Sequence, residues 1–348
     1  MGRTHIQDKN QTWASLNDQE LLGWRLKDLN LTIESPYLKP LIEQLFQELD
    51  DKGIKIKPKI YLGDEWFSPE GMIAISIPFY LAHPRLIALE KQIMLEAEGE
   101  TPDYFMKLLR HEAGHCFDHA FKFSKRTKWR KLFGSPEQEY SPETYRPKPY
   151  SKSFVQNLNN WYAQSHPDED FAETFAVWLN PKSEWRKTYK NWLAAYNKLE
   201  YIESLAQETK DKAPVPEKGF LPFQSSRMSI TLAKYYAKRR KENAADYPDF
   251  FDEDLRKIFN GDQNLSKKEF SANRYMQKNK KSIIESVSYW TGERKFPIEL
   301  LVKKLVDRTQ KLDLRLGRSE ADTHLEVSAY LASLVTHYLF TGQFKRSV

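Results

Sequence analysis

Arg110-His111-Glu112-Ala113-Gly114-His115 carries the spacing His-Glu-x-x-His. Residues four apart on a helix lie about 40° apart around its axis, so His111 and His115 share one face. Two imidazoles on one face can hold a Zn²⁺, and Glu112 then points toward the water that the metal polarises. At this chain's His and Glu frequencies, about 0.01 such matches arise by chance. Upstream, Thr101-Pro102-Asp103 reads as the start of this helix, with Pro102 at its first position. Tyr104, Phe105, Leu108 and Leu109 then bury it. His119, one turn beyond His115, reads as a helix-face histidine. Asp118 and Phe121 stand where a metzincin would need Gly and His, which sets that class aside.

A zinc hydrolase needs a third protein ligand and an open position. Downstream lies Tyr162-Ala163-Gln164-Ser165-His166-Pro167-Asp168-Glu169-Asp170-Phe171-Ala172-Glu173. Pro167 suits a helix start, and Asp168 and Glu169 suit its positive end. Glu169 and Glu173 share a face of that helix. One can bind the metal while the other accepts a hydrogen bond from a liganding imidazole and fixes its tautomer. Spacing alone leaves the two roles interchangeable.

These blocks resemble the gluzincin metallopeptidases and, more narrowly, a bacterial family of zinc-binding metallopeptidases. The likeness runs through Asp64-Glu65-Trp66-Phe67, Ile77-Pro78-Phe79-Tyr80-Leu81, Leu109 to His115 and His166 to Phe175, over roughly residues 15–205. It implies a zinc-dependent hydrolase of peptide or protein substrates, with His111, His115 and Glu169 as ligands and Glu173 orienting a ligand histidine. Glu112 would be the general base toward a metal-activated water. Tyr162 lies seven residues before Glu169, as a tyrosine does in the similar catalytic domain of anthrax lethal factor. It is the first candidate oxyanion donor and His166 the second. By analogy with zincins, the strand Ile73-Ala74-Ile75-Ser76-Ile77 is expected to run above the metal and pair with an extended substrate; the alternative is an interior strand.

The expected fold is α+β and helix-rich: a zincin-like domain over residues 1–211 and a mostly helical extension over 212–348, divided at the Pro-containing stretch Ala213 to Gly219. Charge divides the same way. Residues 212–348 hold 26 basic and 17 acidic side chains, a net +9, while residues 1–211 hold 28 and 31, a net −3. Lys238-Arg239-Arg240-Lys241 and Lys278-Asn279-Lys280-Lys281 raise the alternative of nucleic-acid binding. Acidic stretches such as Asp252-Glu253-Asp254 interrupt them and no recognition motif accompanies them, so solvated helix faces are the better reading. A further alternative is a metal-loaded binding or regulatory protein with weak hydrolysis. The single cysteine, Cys116, reads as a packing thiol and excludes an intramolecular disulfide. Met1 to Ile6 has no apolar signal core. Gly71 to Ala82, the longest apolar run, is too short to span a bilayer. A cytoplasmic protein without membrane attachment is expected.

Among local elements, hydrophobic spacing predicts one helix from Asn17 or Asp18 through Leu29, a short strand at Leu29–Ile33, a helix from Ser35-Pro36 to Gly53 and an edge strand at Ile54–Leu62. Ser135 to Ser151, rich in proline and tyrosine, reads as an irregular segment that could wall the cleft; the alternative is a passive surface loop. Beyond the linker, helices are expected near 227–243, 249–260, 265–279, 280–291, 297–311 and 322–341.

Overall fold

The computed structural model describes residues 11–140, 147–148, 150–159, 161–210, 212–215, 219–242, 251–259 and 271–341. Asn17 starts α1 (Asp18–Leu22) with a capping box, accepting from Glu20 N while Glu20 reaches back to the Asn17 backbone. Gly23 stops it, so the helix expected through Leu29 is two pieces, the second a 3₁₀ turn at Leu26–Leu29. Asn30 follows in the left-handed conformation, and no strand forms at Leu29–Ile33. The chain then forms α2 (Leu38–Asp51), which buries Leu38, Leu41, Ile42, Leu45 and Leu49 on one face.

The sheet among the described residues has two strands, β1 (Lys59–Gly63) and β2 (Ala74–Pro78), paired in parallel with Tyr61 opposite Ser76. The edge strand expected from Ile54 starts only at Lys59, past Pro58, whose missing N–H cannot join a ladder. On the other edge of β2, Ser76 N donates to Phe67 O at 2.9 Å. Helices follow: α3 (Pro84–Met94), α4 (Pro102–Phe121), α5 (Thr127–Phe133), α6 (Pro167–Leu179), α7 (Trp185–Thr188), α8 (Leu193–Thr209) and α9 (Leu232–Glu242). α4 begins with Pro102 as expected, although Thr101 supplies no side-chain cap. The architecture is α+β and helix-rich.

The chain forms two compact units, residues 1–93 with 97–238, and residues 239–348 with 94–96. The first therefore continues past the boundary expected at residue 211. Its extra segment is tied in by backbone: Leu26 N donates to Ile230 O, Lys27 N to Met228 O and Leu232 N to Trp24 O, at 2.9–3.1 Å. Tyr235 adds a hydroxyl bond to Asp64 O and an edge-on contact with Phe79. The second unit packs α10 (Asp252–Ile258), α11 (Ala272–Thr291), α12 (Lys295–Lys311) and α13 (Glu320–Thr341) around Ile283, Ile298, Leu301, Val302 and Leu331. α11 is continuous where two segments were expected to meet, and residues 261–270 lie outside the described residues. Lys278 pairs with Glu320 and Lys280 with Glu299, so two of the three lysines in that basic run are already engaged. No helix among the described residues is long and apolar enough to cross a membrane.

Two buried ion pairs fix the central helices of the first unit. Arg110 on α4 grips Glu48 on α2 through two bonds of 2.6 and 2.7 Å. Lys198 on α8 meets Asp170 on α6 at 2.6 Å and also donates to Ser153 O. Removing one partner of such a pair strands the other charge in the interior. Glu48→Ala is therefore expected to cost about 3–5 kcal/mol, read as a lowered urea midpoint; a midpoint equal to wild type would show that Arg110 finds another partner.

Candidate metal centre

α4 and α6 touch closely because α4 has a glycine where they meet. A methyl group on Gly114 would lie 2.8 Å from Ala172 Cα and 3.0 Å from Ala172 O. The contact sits between His111 and His115 on one helix and between Glu169 and Glu173 on the other, so the helix separation sets the distance between the two motifs.

The structure brings His111, His115 and Glu169 together as a group able to hold a metal ion. His111 Nε2 lies 2.9 Å and His115 Nε2 3.3 Å from Glu169 Oε2, and the two nitrogens are 3.2 Å apart. A tetrahedral zinc with ordinary bond lengths requires donors about 3.3 Å apart. Although buried, Glu169 Oε2 has no well-aimed hydrogen bond among the described residues. Three lone-pair atoms thus face a common point, and the donor set fits zinc. Burial opposes charge on His111, but Glu169 and Glu173 outweigh it and raise its basicity well above the imidazole norm. Burial likewise opposes ionisation of Glu169, yet His115 and His111 hold it well below the usual carboxylate range. The site is built to compensate a positive charge.

Glu173 faces the far side of the His111 ring. Its Oε1 accepts from His111 Nδ1 at 2.8 Å and from Asn157 Nδ2, while its Oε2 accepts from Leu158 N. A proton fixed on Nδ1 leaves the Nε2 lone pair turned toward Glu169. Spacing could not divide the two glutamates; the packing places one at each ring nitrogen. Glu112 is buried beside the group, and burial raises its carboxyl above the usual range against the pull of His111 and His115.

The other expected site residues divide. Tyr162 has its ring 5.7 Å from that of His111, and burial raises its ionisation above the phenol norm, so it remains an O–H donor. His166 has both ring nitrogens in hydrogen bonds. Nδ1 accepts from Asp168 N as the α6 cap, and Nε2 bonds to Gln138 O at 3.0 Å. Ile73, Ala74, Ile75, Ser76 and Ile77 are all buried, and three backbone groups from Met72 to Ser76 bond on the side away from β1. His119 Nδ1 bonds to Met72 O, the Cys116 thiol to Ala74 O and Ser76 N to Phe67 O. These contacts also account for His119 and Cys116 as packing residues of α4.

Sequence reasoning gave Tyr140 no individual role. Its hydroxyl donates to Glu169 Oε1 at 2.9 Å and lies 3.2 Å from the Tyr162 hydroxyl. Its position in the irregular segment of residues 135–151 was the available signal. Residues 141–146 and 149 of that segment lie outside the described residues.

A family model described as "Putative zinc-binding metallo-peptidase" matches residues 19–240. No curated protein and no solved structure matches the chain.

The glycine contact gives a direct test. Gly114→Ala must push α6 away through backbone atoms, at a cost of about 1–3 kcal/mol. Weaker zinc retention in competition with a chelator is expected, together with a lower melting temperature. Unchanged zinc retention would show that the helix separation does not control the centre.

Proposed function

We propose, from the premise that the chain belongs to the zinc-binding metallo-peptidase family matched over residues 19–240, that it hydrolyses peptide bonds in a peptide or protein substrate. The observation that carries this reading is the close triangle of His111, His115 and Glu169 donor atoms beside a buried Glu112. His111 and His115 through Nε2, and Glu169 through Oε2, would hold zinc. When bound there, zinc would supply a Lewis acid able to acidify water and polarise a carbonyl.

The protein groups do the remaining work. Glu112, raised by burial, accepts the proton of the attacking water and returns it to the leaving amine. Tyr162 donates its O–H to the carbonyl oxygen as that atom gains negative charge. With His166 committed to Asp168 and Gln138, this donor role falls to Tyr162 alone of the two expected candidates. Glu173 keeps the proton on His111 Nδ1. The single buried cysteine fits a reducing, cytoplasmic setting.

Metal content by mass spectrometry and cleavage of a peptide library test this together. Wild type is expected to hold one zinc per chain and Glu169→Ala to lose it. Glu112→Gln is expected to keep zinc while hydrolysis falls about 10²- to 10⁴-fold or more. Wild type without zinc after reconstitution, or full hydrolysis by Glu112→Gln, would overturn the reading.

A further inference from the structure

A glutamate that ligates through one oxygen leaves the other to be held by something else. Unrestrained, a carboxylate can swing to present both oxygens, taking up the open position that a hydrolase needs. Here Glu169 Oε2 faces His111 and His115, and Oε1 accepts from the Tyr140 hydroxyl at 2.9 Å. Tyr140 is itself referenced to the same helix. Its ring meets that of His166 edge-on at 5.3 Å, and His166, the capping residue of α6, also bonds to Gln138 O two residues before Tyr140. The phenol has one proton, which goes to Glu169. The 3.2 Å contact with Tyr162 then has Tyr162 O–H donating and Tyr140 oxygen accepting.

We propose that Tyr140 is a positioning residue of the metal centre: its hydroxyl holds Glu169 to one-oxygen ligation and gives the Tyr162 hydroxyl a resting acceptor beside the site. This rests on the reading that His111, His115 and Glu169 hold zinc. Tyr162 turns from this acceptor to the substrate carbonyl when substrate enters.

Tyr140→Phe removes the hydroxyl and keeps the ring on His166. Zinc affinity by chelator competition is expected to fall about 10- to 100-fold. The visible spectrum of the Co²⁺-substituted protein is expected to shift as the carboxylate changes its mode. Tyr162→Phe, which leaves the bond to Glu169 in place, is expected to bind zinc as wild type does. Three results would overturn the proposal: wild-type affinity and Co²⁺ spectrum in Tyr140→Phe, equal weakening in Tyr162→Phe, or a lowered melting temperature of zinc-free Tyr140→Phe, which would mark a role in the fold instead. Failure of the underlying reading looks different, since wild type itself would then bind no zinc.

Discussion

His111 stands between two carboxylates, Glu169 at Nε2 and Glu173 at Nδ1, both within 2.9 Å. The rest of the first unit is arranged to permit that contact. Both carboxylates come from one helix and the imidazole from another, so α4 and α6 must approach to backbone distance. A side chain at position 114 would hold them apart. The x positions of His-Glu-x-x-His are therefore not neutral here. Ala113 and Gly114 are small where the helix is crowded, and Gly114 accepts a modest helix-propensity penalty in exchange for proximity.

Roll matters as much as separation. Arg110 immediately precedes His111 and Asp170 immediately follows Glu169. Each neighbour points about 100° away from that residue on its helix, into a buried pair with Glu48 or Lys198. A buried ion pair adds little net stability over apolar packing, so its value here is directional. A helix rotated about its axis would have to pull a charged group out of its buried pair. The pairs anchor α4 to α2 and α6 to α8, on sides away from His111, His115 and Glu169, so the geometry of that group is held by the scaffold.

The legible parts of the molecule were those written in local spacing. The start of α4 at Pro102, its shared histidine face, and the start of α6 at Pro167 all rest on helix periodicity and proline chemistry. Contacts between distant segments were not legible. Parallel pairing of β1 with β2 has no hairpin signal, and residues 219–238 join the first unit through bonds to Trp24–Lys27 that no composition change announces. His166 shows a role that spacing did not announce: standing before Pro-Asp-Glu, it caps the helix that follows by accepting from Asp168 N at Nδ1, which leaves Nε2 to bond to Gln138 O. Tyr140 is a second such case, a residue of irregular chain whose contacts with Glu169, Tyr162 and His166 come from the fold and not from local spacing.

The bonded edge of β2 follows from how completely α4 is used. One face presents His111 and His115 to Glu169, a second lays Gly114 against Ala172, a third directs Arg110 to Glu48, and the remaining side sends Cys116 and His119 to the carbonyls of Ala74 and Met72. A helix with partners all round shows no strong amphipathic stripe, and α4 buries polar and apolar residues alike. These contacts hold the strand against α4 through Met72 O and Ala74 O, on the side where Ser76 N bonds to Phe67 O. The strand thereby braces the helix that carries His111 and His115.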